Sequence, residues 1–416
     1  MFFLLSLVSA AAINNIQGAT YLMTNDPAGN NIVVSAIGQD GKLSIVNTVS
    51  TGGKGGNGIA DKSDKGPDSL FSQDSVIVGG NFLFNVNPGS NSVSMFSIDQ
   101  ADPTRIKLLQ TADSCGDFPV ALAFSSKLQM LCVVNGGANN SVMCYSVGAN
   151  GLQGLPDTTR PLGFKQTTPP NGPLGTVSDV LFNDDSSQVL VSVKGNPPAN
   201  FTGFIASFAV QGNALADKPV LNEPKGSVAP FSMSLVPNTN NRVLFTDAGV
   251  GFGLLDLQQG TESASAVVPV QGQGAICWSD FSPRTKNMYM VDIKTSLLTE
   301  VNVATSGSPN ATLVAQHPLS GNTIDFRIAS LKDKDVAFVN TPGNNAVQVV
   351  SLDAPGKTTL LQTLDLACVQ GASSRNQGMA FALKNGKQNQ KGKKGKKQHK
   401  KKGKGKKGKK GKSQEI

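Results

Sequence analysis

Residues 175–215, GTVSDVLFNDDSSQVLVSVKGNPPANFTGFIASFAVQGNAL, set three short apolar runs between polar clusters. VSDVLF, VLVSV and FIASFAV have the β-branched and aromatic enrichment of strands, and VLVSV alternates. NDDSSQ and KGNPPANFTG between them are turn-forming. The same order recurs at 76–98 around NPGSN, at 118–147 around NGGANN and at 230–257 around DAGVG. It returns at 275–303 around DIKTS and at 324–352 around TPGNN, and residues 20–37 hold only its second and third strands, around DPAGN. Seven units spaced roughly 45–57 residues apart, each of three or four strands, predict a β-propeller.

A fourth strand follows the third in most units, as in KLSIVNTVS, RIKLLQTA and ATLVAQ. Each blade is therefore expected to be a four-stranded antiparallel sheet with its first strand innermost. The first unit lacks that inner strand, and GMAFAL at 378–383 has no unit of its own. The two fit together: a C-terminal strand in blade one would close the ring and remove its open edges. The expected fold is all-β, a seven-bladed β-propeller over residues 20–383.

The net charge of +9 is misleading as a single number. Residues 384–416 hold 16 lysines against one glutamate, so the preceding 383 residues carry −6. The body is mildly acidic; the tail is polycationic, lacks apolar residues that would nucleate a core, and is expected to be disordered. Such a tail would bind anionic polysaccharide or another polyanion with steep salt dependence. At the other end, MFFLLSLVSAAA reads as a secretory leader, assigned to residues 1–19. No other apolar run is long enough to span a bilayer.

The cysteines point the same way. Cys132 and Cys144 flank NGGANN almost symmetrically, and paired strands there would place them for a disulfide. Cys115, Cys277 and Cys368 have no assigned partner, and no Cys/His spacing suits a metal. Sequons at Asn139, Asn200 and Asn310 fall in expected loops or turns. Leader, disulfide and glycosylation sites agree on a secreted, extracellular or wall-associated protein, expected to be a monomer.

In a propeller the loops joining second to third strands share a face with the crossings between blades, where ligands usually bind. Residues 51–74 and 156–175 form long crossings there; the first, though glycine-rich, lacks the GxxxxGK[ST] and helix start of a phosphate loop and is expected to drape over the face. Polar residues near the inner strands are the candidates to converge on the channel. Asp179, Lys194, Asp247, Lys294 and Asp325 are ligand-binding candidates, and Arg327, Asp280 and Asp292 are candidates for chemistry. Turn anchoring is the competing role for the aspartates. The only histidines are His317, on an expected outer strand, and His399 in the tail. A Ser-His-Asp triad and a zinc site both fail for want of histidine.

Several stretches together carry a family resemblance: TNDPAGNNIVVSAIGQDGKL, GPDSLFSQDSV, VNPGSNSVSMFSI, LCVVNGGANNSVMCYSV, FTDAGVGFGLLDL and YMVDIKTSLLTEVNV. Over about residues 19–383 the chain resembles secreted fungal propellers of the 3-carboxymuconate cyclase-like or 6-phosphogluconolactonase-like kind. The resemblance implies lactone opening or closure on small organic acids without metal or cofactor, through histidine and arginine near the channel. Arg327 and Arg284 match in type, but a channel histidine is missing unless His317 reaches inward. The expectation is a secreted, glycosylated propeller that acts as an extracellular binding or wall-associated protein, its tail holding it on polyanionic surfaces, with a small carboxylated or sugar-acid molecule as a further candidate ligand. The alternative is an intramolecular lyase or lactonase, Arg327 holding the carboxylate and Asp280 or Asp292 moving the proton.

Overall fold

The computed structural model describes residues 15–60, 67–239, 241–257, 267–306 and 310–384. Seven antiparallel sheets succeed one another along the chain. Blade two runs Val76–Gly79, Phe82–Asn87, Ser92–Ile98 and Ile106–Asp113, and the same meander repeats through blade seven, which runs Phe326–Ser330, Asp335–Thr341, Ala346–Ala354 and Lys357–Asp365. In blade four the outer position is divided between Ala214–Leu215 and Val220–Asn222, both paired to Phe204–Gln211.

The first two strands of a blade are buried on both faces, as in MLCVVN at Met130–Asn135, because neighbouring sheets stack on them. The outer strands alternate half-buried and exposed residues, as in IKLLQTAD at Ile106–Asp113. The core therefore lies between blades: Phe84, Phe96, Leu122, Val133, Tyr145 and Phe208 belong to one apolar cluster reaching from blade one to blade four.

Ring closure follows the expected route. Gln377–Leu383 pairs antiparallel with Gly18–Met23, aligning Gly18 with Leu383 and Tyr21 with Ala380. The N-terminal strand begins at Gly18, with Ile16 already buried, slightly ahead of the boundary expected at residue 20. Residues 1–14, most of the expected leader, lie outside the described residues, as does the lysine-rich segment 385–416. Cys132 and Cys144 face each other across adjacent strands and form a disulfide. Cys115 and Cys368 are free and exposed, and Cys277 is free and buried.

The long crossings depart from expectation. They do not drape independently: Ile59–Ala60 and Asn171–Gly172 pair as a short parallel ribbon that joins them. The end of the first crossing is buried, with Asp68, Ser69, Leu70, Phe71, Ser72, Gln73 and Ser75 all largely shielded from solvent. Gly58 packs so closely on Phe71 that an added Cβ would lie 2.4 Å from its ring.

Deleting residues 377–416 removes the closing strand, whereas deleting 385–416 leaves it in place. The first truncation is expected to lower the melting temperature by at least about 5 °C relative to the second, or to abolish cooperative unfolding. Superimposable calorimetric transitions would show that closure does not hold the ring.

Candidate functional site

One sequence position organises the upper face. At or within two residues of the end of each second strand lies Asn25, Asn87, Asn135, Lys194, Asp247, Asp292 or Asn340 in blades one to seven, and all seven are buried. Six bind neighbouring backbone or side chains. Asn25 exchanges two hydrogen bonds with Gly56, Asn135 donates to Ser114 O and Asn340 donates to Asn376 O. Asp247 accepts from the backbone of Val228, Ala229 and Gly249 and from the Ser227 hydroxyl. Asp292 accepts from the backbone of Gly274, Ala275, Lys294 and Thr295. Both carboxylates are thus turn anchors with their oxygens occupied, and Lys294 lies exposed on the turn that Asp292 holds.

Lys194 is the exception, since an ammonium only donates. Its Nζ gives a 2.6 Å hydrogen bond to Phe71 O and lies 4.4 Å from the centre of the Phe231 ring. Around it the segment from Asp68 to Asp74 crosses the axis as a plug. Gln73 N donates to Ser178 O in blade four, and Ser72 Oγ donates to Val120 O in blade three. Trp278 Nε1 of blade six donates to Ser72 O, Ser279 N donates to Gln73 Oε1, and Gln377 Nε2 of blade one bonds Asp68 and Asp325.

Burial drives the titrating groups here toward their neutral forms. Asp68 is pushed up to about 6, with Lys194 and Gln377 opposing the shift. Lys194 is pushed down to about 7 by the same desolvation, against the pull of Asp68, Cys277 and Asp179. Asp179 and Asp325 are raised well above the carboxylate range, and burial pushes the Cys277 thiol up. Three of the expected ligand-binding residues, Asp179, Lys194 and Asp325, therefore do come together, in a closed interior around the plug.

Two of these carboxylates share a second task with Asp280. Asp179 accepts from Met233 N at 2.7 Å, Asp280 from Ile328 N at 2.7 Å and Asp325 from Gly378 N at 2.7 Å. Each bond joins the inner strand of one blade, or the residue before it, to the inner strand of the next. Asp280 also accepts from Phe281 N, and burial raises it to about 7.

The open part of the channel lies on the opposite face, where first strands turn into second strands. A cavity of 460 Å³ is lined there by Phe124, Phe182, Phe381, Ser126, Asp184 and Arg327, among others. The Arg327 side chain is 20% exposed and pairs with Asp74, the last residue of the plug. Burial lowers its pKa to about 10, which leaves it cationic at neutral pH. Of the three residues expected to carry chemistry, Arg327 alone lines this cavity. Asp292 is committed to a turn on the other face, so the expected trio is not assembled. His317 sits on the outermost strand of blade six, its Nε2 3.3 Å from Glu300 Oε2, and does not reach the channel. Arg284 is also spent elsewhere, on Asp335 and the carbonyls of Leu331 and Lys332.

Asp74, Asp68, Gln73 and Gln377 were missed by sequence reasoning. The only signal for the first three was their place at the end of a glycine-rich crossing, where strand periodicity says nothing about the channel.

Comparison with solved structures identifies the architecture. A Pseudomonas aeruginosa periplasmic gluconolactonase superposes with a TM-score of 0.64 at 14% identity, covering 88% of this chain and 99% of the other. The chain has the lactonase-propeller fold. A Bacteroides fragilis protein assigned as a 6-phosphogluconolactonase superposes at 0.60, with 16% identity over 88% of this chain and 98% of its own. The Myceliophteria thermophila Cps50 propeller domain also matches, at 0.50 and 9% identity over 71% of this chain and 86% of that one, so the propeller architecture is not confined to proteins named as lactonases. No protein-family model matches the sequence, and no curated protein sequence matches it.

A raised carboxylate pKa stabilises the fold fully below its unfolded value, and that contribution is lost as pH rises through the folded value. For Asp280 the window runs from about 4 to about 7. Asp280→Asn should therefore gain stability relative to wild type as pH rises from 4 to 7, read as the difference between two melting curves. Parallel curves would mean that Asp280 titrates as an ordinary surface carboxylate.

Proposed function

We propose that this chain is an extracellular binding propeller that takes a small carboxylated or sugar-acid molecule into the 460 Å³ channel cavity, with Arg327 as its anchor. The observation that carries the reading is the partly exposed Arg327 guanidinium in the wall of a cavity lined mainly by apolar and hydroxyl side chains, with Asp74 paired to the guanidinium and Asp184 as the second carboxylate of the lining. An arginine cation gives a carboxylate two parallel donors, and Asp74 holds that cation in place. Phe124, Phe182 and Phe381 would cover the apolar side of a compact ligand.

The lining favours binding over turnover. Lactone chemistry needs a group that exchanges protons near neutral pH. Asp68 and Lys194, shifted to about 6 and 7, are enclosed with the plug and are not among the cavity's lining residues. Asp280, at about 7, has both oxygens engaged by backbone N–H groups. The lactonase or lactonising cyclase remains the second reading, supported by the fold shared with the Pseudomonas gluconolactonase.

An extracellular setting is supported by the disulfide and by the exposure of Asn139, Asn200 and Asn310. Among the described residues no helix is long and apolar enough to cross a membrane. The 16 lysines of residues 384–416 would hold the protein on anionic polysaccharide or another polyanion.

Titrating gluconate, muconate and their lactones against the protein should raise its melting temperature with at least one carboxylate, because a ligand bound only by the folded state stabilises it by mass action. The shift should vanish in Arg327→Ala while the ring stays folded. No shift across the panel, or one that survives the substitution, defeats the reading. Product formation lost in the same variant would replace it with the enzymatic one. Deleting residues 385–416 should abolish salt-sensitive retention on a pectate column; unchanged retention would remove the tail from the account.

A further inference from the structure

A second cavity, on the face opposite the Arg327 mouth, has different chemistry. It encloses 640 Å³ between the second long crossing and the loop that joins the second and third strands of blade four. Phe164 and Phe201 lie in its wall with ring centroids 5.9 Å apart and planes tilted by 33°, and both are half-buried. Asn171 and Asn196, which carry side-chain amides, belong to its lining, as does the exposed Lys165, and among the described residues no carboxylate does.

The walls are held in shape by the protein itself. The Gln166 side chain donates to Asn171 O and Gly175 O and accepts from Asn171 N, clamping the crossing into a closed turn. Thr168 Oγ1 donates to Asp117 Oδ2 and accepts from Ala138 N, fixing the same turn to blade three. A cavity formed in advance loses less entropy on binding.

We propose that this cavity is a saccharide site. A sugar ring presents an apolar C–H face and a rim of hydroxyls that both donate and accept. The aromatic pair suits the first, and amides, which likewise donate and accept, suit the second. The absence of carboxylates from the lining fits a neutral or acidic sugar and disfavours a cationic ligand. The rim itself carries a source of saccharide. Asn200 is exposed, follows Ala199, precedes Phe201 and opens the sequon Asn200-Phe201-Thr202. It closes the short 3-10 turn Pro197–Ala199 in a left-handed conformation, with φ at 52°. A glycan attached there starts at the cavity edge. The shared chemistry is the saccharide, and its two sources are this attached glycan and a free oligosaccharide.

The test uses the full chain from a glycosylating secretory host, as wild type and as Asn200→Gln. Probes are chitotriose, mannotriose, laminaritriose and trigalacturonate, followed by saturation-transfer NMR and titration. At least one trisaccharide should bind Asn200→Gln, and Phe164→Ala combined with Asn171→Ala should weaken it at least about tenfold. Binding by Asn200→Gln but not by glycosylated wild type identifies the attached glycan as occupant; equal binding identifies free saccharide. Binding should persist in Arg327→Ala, which separates this site from the channel cavity. Failure of Asn200→Gln to bind any probe overturns the proposal. So does unchanged affinity in the double variant, or in Asn171→Ala where the double variant does not fold. Asn171 is exposed, so its single substitution keeps the test valid if Phe164→Ala disturbs folding.

Discussion

Seven inner strands surround the axis, and each has a ladder partner on only one side. The free edge of each is a row of backbone N–H and C=O groups in a space mostly too narrow and too buried for water to satisfy them all. Much of what lies near the axis answers that constraint. Asp179, Asp280 and Asp325 each spend an oxygen on the inner strand of the next blade. Ser178 and Ser234 do comparable work with hydroxyls, to Phe231 O and Ser279 O. The plug supplies partners from its own backbone, taking Ser178 O through Gln73 N and Leu122 N through Asp74 O.

This use of polar groups decides where a ligand can go. Charges that a linear reading gathers into a binding ring are consumed in holding the ring together, and desolvation pushes them toward neutrality. The plug closes the channel on the side of the long crossings. What is left open is the opposite mouth, where Arg327 is the cation of the lining among the described residues and Asp74, from the end of the plug, is its partner. Plug and cavity are thus one construction: the segment that satisfies the inner edges also orients the residue best suited to hold an anion.

Lys194 shows how one substitution in a repeated position changes the architecture. Where six blades place an asparagine or aspartate that bonds nearby loop or strand groups, blade four places a cation that cannot accept. Its ammonium reaches Phe71 O and the Phe231 ring instead. The buried Lys194, with Asp68 beside it, ties the plug to blade four, and burial brings both groups toward neutral pH.

The repeat, the blade count, the closing strand and the Cys132–Cys144 pair were all legible in the sequence. Each depends on local pattern: strand periodicity, turn chemistry and two cysteines mirrored about one hairpin. Asp247, expected among the ligand-binding residues, is instead a turn anchor, the competing role that its sequence setting offered. Which aspartates face ligand, which clamp a neighbouring blade and which side of the channel stays open were not legible. Those questions depend on contacts between residues hundreds of positions apart, such as Trp278 with Ser72 and Gln377 with Asp68. Hydrophobic periodicity determined the ring; only the tertiary structure decided its centre, because there each polar group is assigned by the edge or carbonyl that closure happens to bring against it.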